Sequence, residues 1–375
     1  MRLIATTVID TIALPERILW LAFGLGSVFG AVAQRSRFCP MGAIADIVNM
    51  RDWQRMRMWL LAIAVAVLGS AALHSSGRID LARSIYRSAG FPWLAHAIGG
   101  ASFGFGMVLA SGCAARTLVR IGGGSLKAMV VLLIVGLFAE MTMRGALAGL
   151  RINLSERWSA PFAAGHDLPA LLIALGLPAD LALAGCALAI GSALLAFVFL
   201  PRQRLAPGSA LAGLCVGLSV VGGWYVSGAL GYLAEDPETL QEAFVATNSG
   251  RMESLSFVAP QAYLLELLML WSDSNRHLSF AVASLLGVLA GSLLSAVGSG
   301  SFRWEGFRDL EDTANHIVGA AFMGFGGVLG LGCTIGQGIS GVSTLALGSF
   351  VTLAAIIGGA LLALHYQYRR AQSAR

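Results

Sequence analysis

Uncharged apolar runs recur along the whole chain, and they are too long and too numerous for a water-soluble fold. Leu61–Ala72, Met129–Phe138, Leu181–Leu200, Phe280–Val297 and Thr352–Leu364 each lie inside a longer uncharged stretch. A helix that spans a bilayer needs about 20 such residues, so the chain has room for roughly eight to ten. Charged residues make up 12% of the 375, against about 25% in soluble domains. A large soluble enzyme is therefore excluded, because its surface needs more charge. The reading is an all-α polytopic membrane protein: about nine spanning helices plus short re-entrant ones.

The first apolar segment, Arg17–Gln34, runs into Arg35-Ser36-Arg37. That is no small-residue cleavage site, so the segment is read as part of the body. Net charge is +5, much of it arginine in short connections. By the positive-inside rule Arg51/Arg55/Arg57, Arg202/Arg204 and Arg369/Arg370/Arg375 mark the cytoplasmic side, whereas Arg78, Arg83 and Arg87 fit that scheme less well. Five cysteines, an odd number without disulfide spacing, argue against a secreted scaffold.

The chain also repeats itself. HAIGGASFGFGMVLASGC at His96–Cys113 aligns without a gap on HIVGAAFMGFGGVLGLGC at His316–Cys333, with 10 of 18 positions identical. Small apolar composition alone would rarely bring His, Phe and Cys into register together. A fainter match sets Gly26–Gly30 and Arg37–Pro40 against Gly213–Gly217 and Trp224–Ser227, with Val226 or a neighbour where Cys39 stands. One transmembrane domain over 1–375 is expected, with pseudo-repeats at about 16–150 and 205–366 around a central pore, a common transporter plan. Spanning helices are placed near 16–34, 57–74, 93–111, 125–147, 179–200, 208–232, 277–298, 314–331 and 343–366. Short segments follow the cysteines at 40–50, 114–121 and 334–341, and 235–276 reads as an insertion holding a re-entrant or surface helix.

Chemistry concentrates at the two Gly-Cys turns, Gly112-Cys113 and Gly332-Cys333. Each ends an apolar segment and leads into further glycines, including Gly336 and Gly338. Non-helical backbone at membrane depth survives only where it is buried in protein or lines a wet cavity. The turns therefore place thiols at a pore constriction, with Gly112, Gly332, Gly336 and Gly338 shaping it. Cys39, at a proline-marked break, joins Cys113 and Cys333. Cys186 and Cys215 sit in featureless apolar helices as small hydrophobes. Arg116, Thr334 and Gln337 are candidate polar lining, while Glu140/Arg144 reads first as a helix pair and His96/His316 as packing or capping residues.

Three thiols in a pore suit either a soft metal or a sulfur anion that accepts weak S–H hydrogen bonds from protonated thiols. The chain has no CxxC, HxxxH or nucleotide-binding GxxxxGK[ST] pattern, so no metal, cofactor, ATP or nucleic acid is expected. A soft-metal or other small-anion transporter and a membrane thiol oxidoreductase stay open as alternatives. The oxidoreductase would need an activating base that the sequence does not offer near these cysteines.

The stretches Arg37–Ala43, Gly112–Ala128 and Gly332–Gly341 (RFCPMGA, GCAARTLVRIGGGSLKA and GCTIGQGISG) resemble the YeeE/YedE family, whose characterised members are bacterial inner-membrane thiosulfate-uptake proteins. The resemblance covers nearly the whole chain. It implies an hourglass-shaped transporter rather than an enzyme, in which Cys39, Cys113 and Cys333 pass thiosulfate along by S–H hydrogen bonding. It also implies a cytosolic sulfur-carrier partner of the TusA type. The 235–276 insertion has no counterpart in that pattern.

Overall fold

Fourteen α-helices make up most of the computed structural model, which describes residues 2–87, 90–161, 166–200, 205–236, 240–273 and 277–373. Arg202, Arg204 and Arg375 of the basic clusters lie outside the described residues, as do 237–239 and 274–276 of the insertion. The first half holds α1 (Arg2–Ser36), α2 (Pro40–Met50), α3 (Gln54–Ser75), α4 (Trp93–Leu109), α5 (Ala114–Gly122) and α6 (Leu126–Met143). The connection is built from α7 (Ala148–Glu156), α8 (Leu168–Ala174) and α9 (Ala179–Phe199). The second half holds α10 (Pro207–Tyr225), α11 (Ala259–Met269), α12 (Phe280–Gly298), α13 (Leu310–Leu329) and α14 (Leu347–Ser373). Strand structure is confined, among the described residues, to two short antiparallel pairs in the connections.

Among the described residues, eight stretches are long and apolar enough to cross a membrane. Helix α13 has 20 residues but opens on Glu311 and Asp312. Leucines and phenylalanines such as Leu188, Phe199, Leu211, Leu218, Leu294 and Leu362 stand exposed on the outer helices. In water such a surface would aggregate; in a bilayer it faces acyl chains.

Glycine seams hold the helices at backbone distance. Gly26 and Gly30 of α1 lie against the carbonyls of Ser284 and Val288, and Gly287 and Gly291 of α12 lie against Phe23 and Ser27. The numbers rise together, so α1 and α12 run parallel. Helix α3 runs parallel to α10 in the same way, Gly213 meeting Met58 and Gly217 meeting Ala62. Helix α4 packs parallel to α14, with Gly100 at Thr352 and Gly104 at Ile356. The repeated helices α4 and α13 cross each other antiparallel: Gly99 meets Gly326 and Gly330, while Gly106 meets Gly319 and Met323. Between lipid-embedded helices there is little hydrophobic drive, so close backbone packing by small residues supplies the attraction.

The short segments fall at α2, α5 and a one-turn π-helix, Gly336–Gly341. The fainter repeat behaves differently. Around Val226 the chain does not break as it does at Cys39; α10 passes directly into a π-helix, Val226–Leu230, with helical dihedrals at Tyr225 and Val226. Neither a proline nor a positive-φ residue interrupts it there. The insertion forms α11, whose Glu266 pairs with Arg144 at the end of α6. Arg144 is 3.8 Å from Glu140, so the pair expected along one helix turns out to be mainly a tie between two helices.

Substituting Gly291 by Val drives a side chain into the Ser27 backbone, whereas Gly24, exposed on the partner helix α1, meets nothing within 4 Å. Overpacking of this kind costs about 1–3 kcal/mol. The thermal unfolding midpoint in detergent is expected to drop by several degrees for Gly291→Val and to hold for Gly24→Ala. Equal midpoints would contradict the seam.

Candidate functional site

Three cysteines occupy equivalent local positions, each at the entry to a short helical segment behind an interruption. Arg37 takes φ 54° before Cys39, Cys39 is extended, and Pro40 opens α2. Proline suits that first turn, since its missing N–H would have no helical partner there. The Cys39 Sγ accepts the Gly42 N–H at 3.3 Å. Cys333 repeats the arrangement, its Sγ accepting the Gly336 N–H at 3.3 Å.

The two Gly-Cys turns close identically. Gly112 N–H donates to Met107 O at 2.8 Å and Gly332 N–H to Gly327 O at 2.7 Å. Ser111 and Leu331 donate to Val108 O and Val328 O, both at 3.1 Å. These are Schellman-type helix endings, which satisfy carbonyls that would otherwise be orphaned. The left-handed residue is Ser111 (φ 55°) or Leu331 (φ 58°), not glycine. The expectation that glycine freedom makes the turn therefore holds only at Gly332, whose φ of 153° suits no other residue. Elsewhere the glycines provide room: a side chain at Gly336 would strike Ser256, and one at Gly338 the Trp59 ring.

These endings aim α2 and α5 at one another. The Cys39 and Cys113 thiols lie against each other, and the Thr334 hydroxyl also reaches the Cys113 thiol. Cys113 is fully buried and Cys39 nearly so. Thr334, the residue after Cys333, thus joins the Cys333 turn to the Cys39–Cys113 pair. The positive ends of the helix dipoles converge there. Gln337 is fully buried, with Nε2 donating to Gly330 O at 2.6 Å.

Several further polar atoms around this centre have no hydrogen-bond partner among the described residues: Gln337 Oε1, Arg116 Nη1, Trp59 Nε1 and Tyr86 OH. Buried polar groups are rarely left so, except where a water or ligand takes them. Trp59 and Tyr86 were not legible as site residues, because an isolated aromatic in an apolar run or a connection reads as packing. Cys186 and Cys215 are half-buried on α9 and α10, away from this centre.

A cavity lies at each end. One, of about 330 Å³, is lined by Arg116, Arg120, Arg303, Gln34 and Glu305 among others. Arg116 also stands in the field of Cys39, Cys113 and Arg55. The other, of about 340 Å³, includes the Leu331-Gly332 turn, Ser256, Arg144, Arg151 and Glu253. Of the two histidines, His96 Nδ1 sits 2.7 Å from Thr352 Oγ1 and His316 Nδ1 3.0 Å from Asp312; both do local packing work outside the cysteine path.

A family described as sulphur transport matches residues 35–362. The thiosulfate transporter TsuA of Escherichia coli (strain K12) is 26% identical over 368 residues, spanning 92% of this chain and 94% of that protein. The thiosulfate transporter TsuA of Spirochaeta thermophila (strain ATCC 700085 / DSM 6578 / Z-1203) is 27% identical over 343 residues, spanning 89% and 94%.

The first cavity is bounded by a latch. Arg303 and Glu305 exchange main-chain hydrogen bonds with Gly123, Gly124 and Leu126, and the Glu305 carboxyl binds Lys127 at 2.7 Å and Arg120 at 3.1 Å. Partial burial alone would raise this carboxyl, but the hydrogen bonds from Lys127 and Arg120 bring it down from 4.5 to about 2. A depressed folded value means the latch contributes fully above pH about 4.5 and is lost as pH falls toward 2. Limited proteolysis of 299–309 is expected to be unchanged between pH 8 and pH 5 and to speed up in Glu305→Gln. Unchanged cleavage in the variant would remove the latch.

Proposed function

The chain belongs to the sulphur-transport family, of the YeeE/YedE type, and from that premise we propose that it takes up thiosulfate across the bacterial inner membrane. It is a multi-pass membrane transporter and not an enzyme. The observation that carries the thiosulfate reading is the meeting of Cys39, Cys113 and Thr334 beside the Cys333 turn, between two arginine-bearing cavities.

In this mechanism the anion enters at the Gly332 turn and accepts an S–H hydrogen bond from Cys333 at its terminal sulfur. It passes by way of Thr334 to Cys113 and Cys39, and leaves past Arg116. Protonated thiols donate weakly and present no negative charge. The convergent helix N-termini and Arg116 offset the anion's charge. Among the described residues no group of three or more His, Cys, Asp or Glu side chains is placed to hold a metal ion; Cys39 and Cys113 lie together, and Thr334 links them to the Cys333 turn.

Direction follows from charge. Arg55, Arg116 and Arg120 stand near Cys39 and Cys113, and Arg35, Arg37, Arg51 and Arg57 lie in or beside the breaks that flank α2. The rule of positive cytoplasmic loops then puts the Cys39–Cys113 end inside and the Cys333 mouth outside. The basic inner mouth is where a small sulfur carrier of the TusA type would take the cargo. Segments 16–150 and 205–366 serve as inverted repeats, a reading supported by the antiparallel crossing of α4 and α13.

Growth on thiosulfate as sole sulfur source, in a host unable to use sulfate, tests the route. Cys39→Ala, Cys113→Ala and Cys333→Ala are expected to lose growth and at least about tenfold in uptake rate, a barrier change of about 1.4 kcal/mol. Cys186→Ala and Cys215→Ala are expected to grow as wild type. Equal growth by all five would end the three-thiol route.

A further inference from the structure

Three charged side chains face the cavity beside Cys333: Arg144 from the end of α6, Arg151 from α7 and Glu253 from the segment before α11. The arginines suit an anion. Glu253 does not, since an ionised carboxylate at the entry of an anion route opposes the cargo. Yet Glu253 is 7% exposed, and its Oε1 has no hydrogen-bond partner among the described residues.

Its surroundings leave the proton to burial. The Asn248 N–H and the Ser249 hydroxyl reach the carboxyl, and the Tyr263 and Tyr86 hydroxyls stand in its field, with Cys333 beyond Tyr86. The nearby cations are engaged elsewhere: Arg144 pairs with Glu266, and Arg151 donates to Thr142 O at 3.1 Å and Met143 O at 3.3 Å. Desolvation raises the carboxyl to about 7, and the hydrogen bonds from Asn248 and Ser249 pull it back only in part. A carboxyl so placed changes charge within the physiological range.

We propose that Glu253 is the proton-binding residue of the transport route, protonated when the anion occupies the outer mouth and donating its O–H to an anion oxygen beside Arg144 and Arg151. The proton comes from the outer solution, and no covalent bond forms or breaks other than the O–H itself. Deprotonated, the same group is a fixed negative charge that excludes a dianion. Proton and anion therefore bind together, each tightening the other. The inference rests on the thiosulfate reading.

The test is calorimetric binding of thiosulfate to the purified full-length transporter at pH 6, 7 and 8, in buffers of differing ionisation enthalpy. Wild type is expected to bind about tenfold more weakly at pH 8 than below pH 7, and to take up close to one proton per anion at pH 8. Glu253→Gln is expected to bind at one affinity throughout with no proton uptake, and Glu253→Asp to keep the uptake. Wild-type binding without proton uptake ends the proposal whatever the variants do, and so does uptake that persists in Glu253→Gln. No thiosulfate binding at any pH would remove the cargo assignment along with it.

Discussion

A main-chain N–H or C=O at membrane depth has no water to turn to, and the interrupted segments depend on meeting that need inside the protein. Helices α4 and α13 solve it at their C-terminal ends with the same pair of hydrogen bonds. At the N-terminal ends that follow, sulfur takes the place normally held by Ser, Thr, Asp or Asn. The choice has consequences. An aspartate cap would put a negative charge beside the path, and a serine would hold the N–H more firmly. A thiol accepts weakly from Gly42 or Gly336 and can still turn its own hydrogen outward. Cys113 caps nothing through its side chain, which leaves it to Cys39 and Thr334.

That local solution works only inside a frame that does not yield. The α1–α12 and α4–α13–α14 seams place backbone on backbone, so the turns have little freedom to shift. Beyond the Cys333 turn a second tie acts. Arg87 pairs with Asp167 at 2.6 Å and donates to Thr344 O at 2.7 Å, just past the π segment. A half-buried ion pair adds little net stability, but its directed fork fixes where that segment stops.

The positions of α2, α5 and the Gly336–Gly341 turn were legible because glycine, proline and cysteine punctuate long apolar runs, and punctuation is a local property. The likeness of His96–Cys113 to His316–Cys333 was legible because it is an identity of residues in register. The antiparallel crossing of the two copies was not, since sequence identity carries no direction through a membrane. Nor were Tyr86, Trp59 and Glu253. Each is an isolated residue in an apolar run or a connection, and only the fold buries it near the Cys333 turn. Arg87 fitted the charge rule poorly for the same reason: its partners, Asp167 and Thr344, are far away along the chain.

Charge organises what remains. Moving one negative charge against a membrane potential costs about 2.3 kcal/mol per 100 mV, so on the proposed inward route a dianion faces about twice that. Strong cationic sites along the route would lower the barrier to entry but trap the cargo, because conduction needs sites weak enough to leave. Arginines line both cavities, and Arg116 also stands in the field of Cys39 and Cys113. Between them stand three thiols, the Thr334 hydroxyl and the aromatic N–H and O–H of Trp59 and Tyr86. On the proposed route such weak donors would hold an anion's place without deepening any one well. The energy to move it inward must then come from outside the chain of thiols, and a carboxyl that admits the anion only with a proton is one place to bring it in.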